Sequence, residues 1–585
     1  MVRAVLGWGI LSFAVLQIYE PVMHGLHLPE WTLTLVVVVL GVGFPTTFVL
    51  AWIFDMGPGG VERTPSMATT PSTPARKVRT ALLLVGLGVA FAVPGWLWYG
   101  SRDRAERAEV ASTAHPSSGG ASGQARDAPG ASAGPSVAVL PFEDMSPQHE
   151  QEYFADGVTE EILTALSKVE GLRVPGRASS FYFKGKGAEP AEIARRLGVA
   201  NLLEGSVRRA GNRLRIKVEV VRADGERVWS QTFERELTDV FALQDDIARA
   251  VVSALAPRLL AGVAPAKKGA QAANPEAYQL FLLGRSLSIQ GTPENSLRAV
   301  SVLERAVQLD PRFTLAWVWM GVSDGNLAVV LRGEEGRRHA QRAREEVARA
   351  IALGPEEAEA LASRAWIRLV LDRDWAGAQA DLDQALTLEP ASNLALNTQA
   401  ILFQKMGRFQ EAAAVEQRVV EGDPLNSIVA DNLGWFLLNA GRFDEARAML
   451  QRSLEISPGN PTAQEGISVL DLVTGNAAAA LEGFRKLDGS SRLVGIAAAA
   501  HTLGREEESR AALAEFERDH ADQAFLVAGV KAWRGDADGA FLWLDRAYRE
   551  NDLLLRNVKP YYLLQPVRRD PRYAALLRKM KLPVD

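Results

Sequence analysis

Five carboxylates, Glu143, Asp144, Asp156, Glu160 and Glu161, crowd the end of an apolar run and the helix expected after it. Ligands of α/β folds collect at strand ends, so carboxylates placed there have the right chemistry for an ion or a small ligand. Acids early in a helix also complement its dipole while facing solvent, and that simpler reading is preferred. His24 and His27, beside Glu20 and Glu30, are metal-ligand types at a workable spacing, yet they read more simply as side chains of a short interfacial loop. Gly130-Ala131-Ser132-Ala133-Gly134 has the spacing of a hydrolase nucleophile elbow, which requires a strand before the Ser and a helix after it; neither is expected here. Lys184-Gly185-Lys186-Gly187 lacks the ordered glycines and final Lys-Ser/Thr of a phosphate loop and reads as a surface loop. The chain has 585 residues with 7 His and 0 Cys. Without Cys there are no disulfides, thiolate metal sites or Cys nucleophiles. His149, His339, His501 and His520 stand alone, and no His-Glu-x-x-His, kinase or paired-Asp cyclase constellation occurs. The expectation is no enzyme, with no catalytic residue, cofactor or metal.

Binding chemistry is more promising, and it depends on a repeat. Gly441-Arg442-Phe443-Asp444-Glu445-Ala446 echoes Gly407-Arg408-Phe409-Gln410-Glu411-Ala412 at a step of 34 residues, and a weaker echo starts at Gly475. In that step Ala378, Ala412, Ala446 and Ala480 fall in register, as do Pro390, Pro424 and Pro458. A period of this length marks a stacked helical array. Each unit reads as one helix ending at Gly, then Phe-x-x-Ala opening a second, then Pro closing it. The unit resembles the tetratricopeptide repeat, down to Leu433-Gly434 before the turn. That resemblance implies an array, residues 274–585, that binds other proteins along its concave face. The first helices line that face, which would expose Asn397, Gln404, Lys405, Asp431, Asn432, Trp435 and Asn439. Asn can hydrogen-bond a peptide backbone and Trp offers contact area, although Trp435 also fits as packing between repeats. The several convergent Lys and Arg of the family's carboxylate clamp are missing. Turns at Gly475, Gly504 and Gly535 bring the expected total to about eight pairs, with residues 573–580 as a closing helix. Gly333-Glu334-Glu335-Gly336 is expected to lengthen the turn of the second pair. Trp366, where the repeat usually has Gly or Ala, implies a wider pair.

Ahead of the array, residues 136–256 read as one α/β domain, with a linker at 257–273. Val137-Ala138-Val139-Leu140-Pro141-Phe142 is a buried strand, and residues 172–175 a second short one. Helices are expected near 151–168, 189–197 and from about 240. Residues 201–209 and 213–222 alternate as a hairpin, followed by a strand at 228–234. Together with Tyr153-Phe154-Ala155-Asp156-Gly157, Leu203-Glu204-Gly205-Ser206-Val207-Arg208 and Phe241-Ala242-Leu243-Gln244-Asp245, these residues resemble the TolB amino-terminal-like domain. That resemblance implies a bacterial protein of the membrane-anchored group in which this domain precedes tetratricopeptide repeats.

Residues 101–135 are rich in Ala, Ser, Gly and Pro, which cannot bury enough surface to offset chain entropy, so they read as a flexible linker. Residues 1–100 are expected to form a membrane domain with spans at about 4–23, 31–54 and 80–99. The second and third runs are apolar and reach the roughly 20 residues a bilayer requires, with Trp31, Trp52, Trp96 and Trp98 as interfacial anchors, whereas Glu20 interrupts the first, which also reads as a signal sequence. Arg63, Arg76, Lys77 and Arg79 place the second loop in the cytoplasm, hence everything after Gly100 in the periplasm.

The expected fold class is therefore multidomain: N-terminal transmembrane helices, a small α/β domain, then an all-α solenoid. The net charge of -5 is mixed along the chain, so no nucleic-acid partner is expected. The function read from these features is an inner-membrane scaffold recruiting envelope or secreted proteins, with the lipid bilayer as second partner. The alternative is a signalling component whose α/β domain senses a small ligand and whose array relays the change.

Overall fold

The computed structural model describes residues 54–57, 60–63, 135–146, 152–210, 213–236, 240–255, 272–331 and 333–584. In the N-terminal region β1 (Phe54–Gly57) pairs antiparallel with β2 (Gly60–Arg63). This corrects the expected fold class. Phe54, the last residue of the second expected span, belongs to a strand, and among the described residues no helix is long and apolar enough to cross a membrane. The most apolar long helix, Thr314–Val330, has 17 residues, short of the roughly 20 that a bilayer requires. The longest, Gly333–Leu353, carries Arg and Glu along its length. Apart from Phe54, the spans at 4–23, 31–54 and 80–99 lie outside the described residues, as do the linker at 101–134, His24, His27 and Ser132. The fold that stands is a small sheet domain followed by a helical solenoid.

The sheet domain is built around β5 (Asn201–Ala210), which pairs in parallel with β3 (Val137–Val139) and β4 (Glu143–Asp144). It pairs antiparallel with β6 (Arg213–Arg222), and β6 with β7 (Arg227–Glu236). The order is β3-β5-β6-β7. Four helices complete it: α1 (Glu152–Ser167), α2 (Arg177–Phe181), α3 (Pro190–Leu197) and α4 (Val240–Leu255). Alternation along β6 turns Leu214, Ile216, Val218 and Val220 inward, where they meet Val158 and Ile162 of α1 and Ile247 and Val251 of α4. The opposite face at β3 and β5 is covered by Ile193 and Leu197 of α3. The expected strand at 172–175 is a single bridge, Ser136 with Arg173. Pro175 has no N–H to extend the ladder, and the chain turns into α2, which the sequence pattern did not signal.

Among the described residues the array comprises eight helix pairs. They are α5 (Pro275–Ile289) with α6 (Pro293–Leu309), α7 (Thr314–Val330) with α8 (Gly333–Leu353), and α9 (Ala358–Ile367) with α10 (Trp375–Leu388). The regular copies follow: α11 (Asn393–Lys405) with α12 (Phe409–Gly422), and α13 (Ser427–Asn439) with α14 (Phe443–Ile456). The last three are α15 (Pro461–Val473) with α16 (Ala477–Phe484), α17 (Gly489–Thr502) with α18 (Glu506–Asp519), and α19 (Ala524–Trp533) with α20 (Ala537–Arg549). Ala378, Ala412, Ala446 and Ala480 are fully buried where paired helices meet. Gly434 allows the same closeness, since a Cβ there would lie 2.7 Å from Leu450. Gly407, Gly441, Gly475, Gly504 and Gly535 turn the chain at φ between 72° and 89°, a region that favours glycine. Side chains of Asn274, Thr292, Asp374, Ser392, Asn426, Asn460 and Asp536 cap the helices that follow them. Gly333 to Gly336, expected as a long turn, opens α8 instead, where Glu334 and Glu335 favour the helix start. Trp366 is accommodated by the preceding pair: its ring lies where a Cβ on Gly325 would be, 2.6 Å away.

After α20 the chain does not simply end on the last pair. Two tight turns, Leu553–Asn557 and Tyr562–Val567, lead to α21 (Pro571–Lys579). This return segment packs against the third and fourth pairs, where Trp375 Nε1 donates to Met580 O at 2.9 Å. Leu555, Val558, Leu564 and Met580 share a core with Leu361, Leu371 and Leu402. The array closes on itself.

Candidate functional site

The concave face of the regular copies is carried by α11, α13 and α15. Because the repeat steps by 34, Asn397, Asp431 and Glu465 occupy one equivalent position, and Ile401, Trp435 and Val469 another. The predicted site residues fall into small groups here. Asn432 Nδ2 donates to Asn397 Oδ1 at 3.0 Å, linking neighbouring inner helices. Lys405 Nζ donates to Gln404 Oε1 at 2.7 Å, and Gln404 is buried. Asp431 and Trp435, four residues apart, share one face of α13. Asn439 turns back, its Nδ2 donating to Trp435 O at 2.8 Å.

The interior of this face is short of counter-charges. Asp431 is 5% exposed and its Oδ1 lacks a hydrogen-bond partner, as does Trp435 Nε1. Burial, helped by Glu465, pushes the Asp431 carboxyl up to about 7. Glu416 of α12 is fully buried, and neither carboxyl oxygen has a hydrogen bond of normal geometry. Burial raises it to about 8 against the lowering influence of Asn432. Glu465 is also raised by burial, although Ser491 Oγ donates to its Oε2 at 2.8 Å. On the other side Lys405 is lowered to about 7, by burial first and then by Arg556. Tyr561 and Tyr562 of the return segment stand near enough to Glu465 to be raised by it, after burial, and both pack among the distal helices. Arg556 beside Lys405, and Lys559, whose Cε lies 2.6 Å from where a Cβ on Gly407 would be, bring the return segment against the end of the face that holds Gln404 and Lys405. Leu394 and Ile428, at the other end of α11 and α13, are 40% and 67% exposed.

The carboxylates of the sheet domain serve a different purpose from the one expected. Glu143 is exposed, and Asp144 Oδ1 accepts from Ser146 N at 2.9 Å. Glu160 and Glu161, however, do not face solvent. Glu160 is buried and pairs with Arg177, and Arg285 of α5 lies 3.4 Å from Glu160 and 2.9 Å from Glu161. Lys184 pairs with Asp156 at 2.6 Å and Glu152 at 2.7 Å. The cluster fastens the sheet domain internally and to the first repeat.

A second attachment lies far along the chain. Gly176 N donates to Gly422 O, Ser179 N to Asp423 Oδ1 and Leu425 N to Ser179 Oγ, each at 2.8 Å. Leu425 completes the apolar cluster under α3. Lys168 also pairs with Glu389 at 2.8 Å. The sheet domain thus bridges the first pair and the loop between the fourth and fifth, beside the open end of the concave face.

Sequence reasoning missed Glu416, Glu465, Arg556 and the two tyrosines. Glu465 was reachable, since it repeats the position of Asp431; the others arrive from an outer helix or the return segment and leave no periodic signal.

Comparison with known proteins agrees with the repeat. Residues 372–427 and 397–461 match the family model of the tetratricopeptide repeat. The chain carries tetratricopeptide repeats. Residues 133–250 match the model described as the HilA/YgeH-like transcriptional regulator, second domain. A protein of Rhizobium meliloti (strain 1021) that bears the name "Putative adenylate cyclase 3" is 44% identical over 183 residues, 31% of this chain and 31% of that protein. The chain thus matches about a third of that relative's length. Among solved structures, Pseudomonas aeruginosa pilF is 17% identical with a TM-score of 0.29, covering 36% of this chain and 92% of its own. PilW, a widely conserved type IV pilus biogenesis factor, is 23% identical with a TM-score of 0.29, covering 34% and 94%.

Proposed function

We propose that this chain is a protein–protein interaction scaffold in which the concave face of α11, α13 and α15 receives a partner segment. The observation that carries the reading is the placement of amide, acidic and aromatic side chains on adjacent inner helices, with Leu394 and Ile428 exposed beside them. Amides serve an extended backbone, and the exposed apolar side chains offer pockets for alternate residues. The sheet domain, which resembles both the TolB amino-terminal-like domain and the second domain of HilA/YgeH-like regulators, frames the site rather than adding chemistry to it. No catalysis is assigned, and turnover of ATP by the purified full chain would overturn that assignment. The test is site-specific photocrosslinking in the full chain, with the crosslinker at Ile428 or, as control, at Leu542 of α20, also 67% exposed. The reading expects one partner band at Ile428 and none at Leu542. Equal capture at both positions contradicts it.

One observation favours a second reading, in which the sheet domain senses a small ligand and the array relays the change. The domain is joined to the array at two places about 140 residues apart in sequence, Arg285 and Asp423, so a shift within it reaches the groove loop directly. The relative named as an adenylate cyclase is consistent with a signalling setting. This reading expects a metabolite that raises the melting temperature of the full chain and alters hydrogen exchange in residues 422–426. A broad metabolite panel that changes neither would exclude it.

A further inference from the structure

We propose that the concave face holds a cationic side chain, a Lys or Arg presented by an extended segment of the partner, between Asp431 and Glu465 and against the ring of Trp435. This rests on the scaffold reading and specifies the partner's chemistry. Asp431 and Trp435 lie four apart on α13, and Glu465 repeats the position of Asp431 on α15. The Trp435 ring leans on α15 from the same helix as Asp431: a Cβ on Gly466, next in sequence to Glu465, would lie 3.3 Å from its Cε2 and 2.7 Å from Leu450 Cδ2. Acid, ring and acid therefore flank the contact between α13 and α15. Within it the Asp431 side chain is buried with Oδ1 unpartnered, and Trp435 Nε1 is unpartnered too. The charge of Glu465 weighs on the Asp431 carboxyl and adds to its burial in pushing it up.

Two acids held this way destabilise the free protein, and a cation relieves them. A guanidinium or ammonium group supplies charge-assisted donors to the orphaned carboxylate oxygen and is attracted to an aromatic face. An apolar or acidic segment leaves the same oxygen buried and unmet. A bare metal ion fits less well, because among the described residues no group of three or more His, Asp or Glu could hold one. The ring and the open end at Ile428 favour an organic cation on a chain.

The test uses the full chain and a fluorescein-labelled nonapeptide of alternating Arg and Ala, followed by anisotropy, with alternating Glu and Ala as control. Asp431→Asn with Glu465→Gln is compared with a double variant of equal charge change on exposed outer positions, Glu421→Gln with Asp444→Asn. The inference expects saturable binding of the Arg peptide, weakened at least tenfold by the groove pair and unchanged by the outer pair. It also expects the groove pair to melt no lower than wild type, because neutralising the acids removes repulsion. Equal loss in both pairs means non-specific attraction and overturns the inference, as does absence of saturable binding. If the peptide fails while the Ile428 crosslink persists, the partner's chemistry is wrong and the scaffold reading stands; if both fail, both fall.

Discussion

Replacing Asp423 with Ala should detach the sheet domain from the array at one point while leaving both folded. Asp423 is buried; its Oδ1 accepts from Ser179 N at 2.8 Å and its Oδ2 from Asn426 Nδ2 at 2.9 Å. The substitution leaves the buried Ser179 N–H without an acceptor, which costs about 1–3 kcal/mol. The neighbouring bonds, Gly176 N to Gly422 O and Leu425 N to Ser179 Oγ, belong to the same joint, so they are expected to open with it. At about 2 kcal/mol, local opening around Ser179 becomes roughly 30-fold more frequent. Hydrogen exchange read on peptides covering residues 176–183 measures this directly, with β6 as a reference that should not change. If protection at Ser179 is unaffected while α11 to α13 loosen, Asp423 serves only the array, and the joint described here does not exist. Leu425→Ala tests the apolar half of the joint and should cost about 2–5 kcal/mol, the range for a buried Leu.

Further outcomes follow from the same geometry. Trp375→Phe loses the buried bond to Met580 O and should free the return segment locally at about 1–3 kcal/mol, seen as faster exchange in α21. Gly441→Val should cost about 1–2 kcal/mol, because its φ of 75° disfavours side chains while nothing crowds it; Gly434→Val, inside a helix at ordinary φ, should cost about 1–3 kcal/mol through collision with Leu450 alone. Asp431 and Glu416 have folded values near 7 and 8, above the ordinary carboxylate value of about 4, so the folded state holds more protons and stability should fall as pH climbs from roughly 4 to 8. Lys405, lowered to about 7, acts oppositely: the folded state holds fewer protons above that pH, so its contribution rises from about 7 towards its ordinary value. Denaturant midpoints across pH for wild type, Asp431→Asn and Glu416→Gln should show the first slope flattened in both variants.

The repeat was legible because stacking forces the same small and turning residues to return at a fixed step. Ala412, Ala446 and Gly441 mark it without any tertiary knowledge. The strands of the sheet domain were legible through alternation, as along β6. What escaped has no local signature. Leu425 reads as one more apolar residue of a loop, yet it packs under α3. Glu160 and Glu161 look like solvated acids on a first helix until Arg285 arrives from 124 residues away to meet Glu161. The return segment reads as a terminal cap, but Met580 finds Trp375 at a separation of 205 residues. The apolar runs near the N-terminus satisfied hydropathy criteria that know nothing of Phe54 standing in a hairpin. Of the site, side chains on the regular copies could be named by register, while their protonation could not, because burial by other segments sets it.

Partner binding along the inner helices has a direct readout. Once a partner has been identified by crosslinking at Ile428, amide exchange of the full chain with and without it decides the matter. Added protection is expected in α11, α13 and α15, strongest around Asn397, Asp431 and Glu465, with α12, α14 and α16 little changed. Protection confined to the outer helices, or to the sheet domain alone, would contradict it.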